Sequence, residues 1–123
     1  MIFTRGLRVC LAVNPVDLRR GFEGLALLVR EELKENECSS QIFVFTNKRR
    51  NRIRLLYWDG TGIWLMTKRL EAGNFSWPKA TEEATKLRLR PEALEMLLSG
   101  IDLKGARLRP WYEEPSKATT AAG

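Results

Sequence analysis

Histidine is absent from all 123 residues, and this absence excludes more chemistry than any residue present suggests. Without an imidazole there is no Ser-His-Asp or Cys-His nucleophilic machinery and no His-ligated zinc. Cysteine is scarce as well. Cys10 and Cys38 are too few for a disulfide scaffold or a four-thiolate metal site, and each is expected as a small buried or half-buried side chain. No apolar run approaches the roughly 18 residues that a membrane-spanning helix needs. The N-terminus, Met1-Ile-Phe-Thr-Arg-Gly6, lacks the long apolar core of a secretory signal. A soluble, cytoplasmic protein is expected, with no cofactor and no metal, and it is not expected to be an enzyme.

What is present is a globular composition, 44% hydrophobic and 29% charged. The expectation is one domain over residues 1–112 and a disordered tail over 113–123 (E-E-P-S-K-A-T-T-A-A-G). The net charge of +6 is unevenly placed. Between Cys38 and Leu70 lie seven of the 21 bases, Lys48, Arg49, Arg50, Arg52, Arg54, Lys68 and Arg69, against one of the 15 acids, Asp59, so that 14 of each sign cancel elsewhere. A local basic excess implies an anionic partner, through long-range attraction and release of condensed counterions.

Apolar periodicity sets out the elements. Leu7–Val13 reads as a strand. Asn14-Pro15-Val16-Asp17 looks like a helix entry, and Leu18, Phe22, Leu25, Val29 and Leu33 then recur at helical steps, predicting a long helix over Asp17–Glu35. Gly21 and Gly24 inside it suggest close packing against another element, since each costs about 1 kcal/mol against alanine. Gln41–Phe45, Arg52–Trp58 and Ile63–Leu70 read as strands joined by a basic turn and by Asp59-Gly60-Thr61-Gly62. A short piece, Phe75–Pro78, comes next. Leu87–Leu89 reads as a strand or an extended lead-in, and Pro91–Ser99 is a short helix stopped by Gly100. The fold expected is α+β: a twisted antiparallel meander packed by one long and one short helix, the short one covering an end or the remaining face.

Three features could carry chemistry. The basic turn Asn47-Lys48-Arg49-Arg50-Asn51-Arg52 sets at least four cations at a hairpin tip, where like charges repel unless an anion joins them. The plainer reading is a solvated loop that keeps a sheet edge soluble. Phe43, Phe45, Tyr57, Trp58, Trp64, Phe75 and Trp77 interleave with this region. Bases of single strands stack on such rings beside arginines, although core burial is the commoner fate, leaving one or two rings free at most. The aspartates, Asp17, Asp59 and Asp102, could be read as a metal-binding triad for phosphodiester cleavage. Each has a structural reading instead, at a helix start, in an Asp-Gly turn and after a helix stop.

Several stretches carry a resemblance in this order: Asp17-Leu-Arg-Arg-Gly-Phe-Glu-Gly24, Phe43-Val-Phe45 with the basic turn, Leu56-Tyr-Trp-Asp-Gly-Thr-Gly62, Lys68-Arg-Leu-Glu-Ala-Gly-Asn-Phe-Ser-Trp-Pro78 and Leu98-Ser-Gly-Ile-Asp102. Together they resemble the second-open-reading-frame product of the insertion sequence 66 family, a transposase accessory protein. The likeness spans residues 5–112. It implies a small bacterial protein encoded by a mobile element and working beside a separate transposase that performs the strand chemistry; it supplies no catalytic residues. Where family members often carry a glycine-bearing turn after Phe-Val-Phe, this chain has Thr46-Asn47-Lys48, and asparagine is expected to supply the left-handed conformation instead. The function expected is a transposition accessory factor holding DNA through Lys48, Arg49, Arg50, Arg52, Arg54, Lys68 and Arg69. The alternative is an adaptor whose arginines meet an acidic protein surface.

Overall fold

The computed structural model describes residues 7–79 and 84–100. Asp102, the expected domain end at 112 and the expected tail lie outside them. Five strands, β1 (Arg8–Ala12), β2 (Gln41–Thr46), β3 (Arg52–Trp58), β4 (Ile63–Arg69) and β5 (Lys86–Leu89), form one sheet in the order β4-β3-β2-β1-β5. Two helices, α1 (Phe22–Glu31) and α2 (Pro91–Leu98), complete an α+β fold. The meander β2-β3-β4 is antiparallel as expected, and β5 lies antiparallel to β1. β1 and β2 run parallel, however, with Val9 opposite Ile42 and Leu11 opposite Val44. The sheet is therefore mixed rather than antiparallel throughout. The cause is the helical connection: a chain that leaves β1 and returns over one sheet face re-enters in the same direction.

Strand alternation divides the apolar residues between two cores. Val9, Leu11, Ile42, Val44, Ile53 and Leu55 face α2, where they meet Ala93, Leu94 and Leu97 together with Phe75 and Trp77. Cys10, Ala12, Phe43, Phe45 and Leu56 face α1 and pack with Leu25, Leu28 and Val29. The helices thus cover opposite faces, and β2 is buried along its whole length. Each large apolar side chain buried this way contributes about 1.5–3 kcal/mol. Phe75 and Trp77 lie on an extended segment outside the sheet, fixed by the Trp77 indole N–H donating to the Ala12 carbonyl at 3.2 Å.

α1 is shorter than the periodicity predicts. The Asp17 carboxylate accepts from the backbone N–H of Arg19 at 3.0 Å, and Arg20 N–H donates to the Asp17 carbonyl at 3.2 Å, so Asp17–Arg20 is a turn. Gly21, with extended backbone, is the residue that caps the helix. At the far end Lys34 takes a φ of 56° and stops the helix before Glu35. The packing role expected for the two glycines also needs correction. A Cβ on Gly21 would meet nothing within 4 Å, and one on Gly24 would meet the Arg20 side chain, 3.0 Å from its Cβ, rather than a neighbouring element. α2 begins at Pro91 as expected, and Gly100 (φ 80°) succeeds its C-terminal cap. Among the described residues no helix is long and apolar enough to cross a membrane.

The two cysteines differ in setting. Cys10 is buried beneath α1 and burial pushes its thiol up to about 11, whereas Cys38 is exposed. A thiol that is both protonated and enclosed is a poor nucleophile. In a titration of the native protein at pH 8 with an aromatic disulfide, one thiol should react rapidly; the second should appear only after denaturant is added. Rapid reaction of both would show that the core over Cys10 opens readily.

Candidate nucleic-acid interface

The parallel pairing brings two connections to the same end of the sheet: residues 13–21 after β1 and the basic turn 47–51 after β2. They touch through Val16 N–H, which donates to the Thr46 carbonyl at 2.8 Å. An open cleft of about 660 Å³ lies between them, with Pro15–Arg19 on one wall and Asn47, Lys48, Arg49 and Arg52 on the other.

The turn is braced from within and below. The Asn47 side-chain oxygen accepts from the backbone N–H groups of Asn51 at 3.1 Å and Arg52 at 3.2 Å, while its amide donates to the Asn51 side chain at 2.8 Å. Phe75 N–H donates to the Arg50 carbonyl at 2.6 Å, and the Asn74 amide donates to the Arg49 carbonyl. Asn47 is thus the staple of the turn, but it does not take the left-handed conformation expected of it. Arg50 does, at a φ of 57°. A long side chain costs about 1–2 kcal/mol there, where glycine would be nearly free.

Register settles which cations share a surface. Arg52 pairs with Arg69 and Arg54 with Thr67 across β3 and β4, on the same face as Leu56 and hence as α1. Two arginines directly opposite repel. The Arg54 guanidinium donates to the Thr67 hydroxyl at 2.8 Å and to the Arg20 carbonyl at 3.0 Å, tying the start of α1 to mid-sheet. Lys48 and Arg49 are exposed at the tip. Lys68 is separated from this group: it alternates to the α2 face and donates to the Leu98 carbonyl at 2.6 Å, at the end of α2. Among the described residues none of the seven predicted cations enters an ion pair; the pairs present are Arg19–Asp17, Arg30–Glu37 and Lys86–Glu35.

Two arginines at this end escape a reading based on net charge. Arg19 and Arg20 lie in a stretch whose charges cancel on average, yet the fold sets Arg19 across the cleft from the basic turn and the Arg20 carbonyl against the Arg54 guanidinium. Arg19 is held by Asp17 at 2.8 Å, and the bonds from its side chain and backbone N–H hold that carboxyl well below the usual range. On the other side of residues 15–17 a second cleft, of about 500 Å³, carries Glu31 and Glu32 with Arg20, a poor match for phosphate.

Most of the aromatics expected beside the patch belong to the core: Phe43, Phe45, Phe75 and Trp77 are buried, and Trp64 is the exposed member of the set. The aspartates do not converge. Asp17 sits at the end where β1 and β2 finish. Asp59 lies at the opposite end, its oxygens taken by Thr61 N–H at 2.9 Å, the Trp64 indole at 2.7 Å and Gly62 N–H at 2.9 Å, which pull its carboxyl down to about 2. Among the described residues no group of three or more Cys, Asp or Glu is placed to hold a metal ion.

A small α+β domain with a cationic end is the class this geometry defines. The family is specific: residues 7–108 match the family described as IS66 Orf2 like protein, and the chain belongs to it. That membership assigns it a transposition-associated accessory role in an insertion sequence. It is 41% identical over 114 residues to the uncharacterized protein y4jC of Sinorhizobium fredii, covering 93% of this chain and 95% of the relative. It is likewise 41% identical over 98 residues to the uncharacterized protein y4hO of the same organism, covering 80% and 84%. No solved structure matches.

The left-handed Arg50 yields a direct test. In Arg50→Gly the unfolding midpoint in urea should hold or rise, by up to about 1 kcal/mol of stability. A fall would show that the half-buried Arg50 side chain supports the turn by packing.

Proposed function

We propose that the protein is a DNA-binding accessory factor that assists a separate transposase and performs no strand cleavage itself. The observation that carries this reading is the pairing of Arg52 with Arg69 on one face, with Lys48, Arg49 and Arg54 beside them and no ion-pair partner among the described residues. Such an arrangement stores repulsion that a polyanion relieves. Guanidinium groups suit the task because their planar donors match phosphate oxygens. The braced turn keeps these groups in place before the ligand arrives, which lowers the ordering cost of binding. The site is phosphate-directed, so affinity should be strongly salt-dependent and weakly sequence-dependent. Lys68, engaged with α2, stands outside this surface.

The distinguishing experiment replaces Lys48, Arg49 and Arg52 with serine. These side chains are exposed, so stability should move by within about 0.5 kcal/mol. Affinity for duplex DNA should fall sharply, and the slope of log affinity against log salt should flatten by roughly 2.7, about 0.9 for each phosphate no longer neutralised. Element-end and random duplexes should lose affinity alike. Unchanged binding by a folded variant would favour the adaptor role, with the cations facing an acidic protein surface.

The absence of cleavage is open to its own assay. Asp17 and Asp59 lie at opposite ends of the sheet and are committed to local donors. Supercoiled plasmid incubated with the pure protein and magnesium or manganese should remain intact. Nicking that disappears in Asp17→Asn or Asp59→Asn would overturn this part of the reading.

A further inference from the structure

Helical periodicity places Phe22 on the sheet-facing side of α1, four residues before Ala26 and seven before Val29, both buried. Yet Phe22 is 49% exposed. It is the first residue of the helix, and Arg19 and Arg20 lie just before it in the turn. Arg54 reaches up from β3 to the Arg20 carbonyl at 3.0 Å, and the register sets Arg52 and Arg69 on that same face. A large aromatic ring is therefore left half in water at the border of a cationic surface, where it adds little to the core.

We propose that Phe22 is a stacking platform for an unpaired base, so that this surface takes single-stranded nucleic acid with phosphates on the arginines and a base on the ring. The inference rests on the nucleic-acid reading of the surface and narrows its ligand. A ring beside guanidinium groups offers both contacts that sequence-tolerant single-strand binding uses. In an intact duplex the bases are already stacked inside the helix and have no free face for the ring. Among the described residues the other exposed ring is Trp64, and it is poorly suited: its indole N–H donates to the Asp59 carboxylate at 2.7 Å, and it alternates to the opposite face from Arg69. A carboxylate beside it would repel phosphate.

The test titrates the full-length protein with three labelled probes of about 15 nucleotides or base pairs, a length that covers a single-strand site. They are oligo-dT, oligo-rU and a duplex closed at both ends by base-free polyethylene glycol linkers, so that it carries no unpaired base. Phe22→Ala should weaken single-strand binding by about tenfold and closed-duplex binding by less than about twofold. Phe22→Leu, which keeps apolar bulk, should show the same selective loss, and Phe22→Trp should restore affinity. A Phe22-dependent loss on either single strand supports the proposal, and the stronger of the two identifies the sugar. Equal losses on single strand and closed duplex, or no loss from a variant with native circular dichroism, would overturn it. The triple serine variant at Lys48, Arg49 and Arg52 should weaken all three probes. If it weakens none while Phe22→Ala still acts, the phosphate role of the turn fails and the stacking role stands.

Discussion

The parallel ladder between β1 and β2 is the constraint on which the rest of this structure depends. Parallel neighbours cannot be joined by a tight turn, so the chain between Ala12 and Gln41 must cross a sheet face, and α1 is that crossing. Because both strands point the same way, the connections leaving their C-terminal ends emerge on a common side. The turn at Asp17–Arg20 and the basic turn at Lys48–Arg50 thereby become neighbours, although about thirty residues separate them in the chain. An antiparallel β1–β2 pair would have sent them to opposite ends. The cationic surface is thus a product of strand direction as much as of arginine content.

The same ladder explains the division of the core. A strand in the middle of a sheet with a helix on each face must be apolar on both sides. β2 meets this requirement: Ile42 and Val44 face α2 while Phe43 and Phe45 face α1. Its flanking polar residues are accommodated by specific partners. The Gln41 amide donates to the Glu35 carboxylate at 2.9 Å, and the Thr46 hydroxyl donates to the Arg52 carbonyl at 2.8 Å. The second bond holds the base of the basic turn, so the polar end of the most buried strand also fixes the position where the cations begin.

Much of this fold is legible in the residues. The meander, the Asp-Gly turn, the short helix opened by Pro91 and the family all come from local pattern, because turn chemistry and strand composition act over a few residues. The direction of β1 against β2 is not legible from composition, although the unbroken run Gln41-Ile-Phe-Val-Phe-Thr46 carries the signature of a strand covered on both faces. The start of α1 differs from expectation because Asp17, two residues after Pro15, suits a helix entry and an Asx turn equally; only the Arg19 bond and the extended Gly21 separate them. Of the expected cation set, Lys48, Arg49, Arg52, Arg54 and Arg69 lie together, while Lys68 alternates to the other face. Arg19 and Arg20 escape notice in the sequence since a charge count cannot see two distant loops meeting. Phe22 misleads for the opposite reason: its spacing is that of a core residue, and only its place at the helix tip leaves it uncovered.

Arg50 ties these threads together physically. A turn braced by Asn47, Asn74 and Phe75 determines the backbone of residue 50 regardless of what side chain it carries. The bracing therefore lets an arginine occupy a left-handed position that would otherwise select glycine or asparagine. Glycine would relieve the strain at the loss of one charge. The cross-strand pair Arg52–Arg69 presents the same choice, since a threonine or glutamate at either position would suit the ladder better. In both places the local optimum for folding and the local density of positive charge pull in opposite directions, and charge prevails. Unfavourable terms of this kind are tolerable at the periphery, where two well-filled cores supply the stability; these two lie at the end of the sheet where the basic connections meet, while the left-handed Lys34 lies at the other.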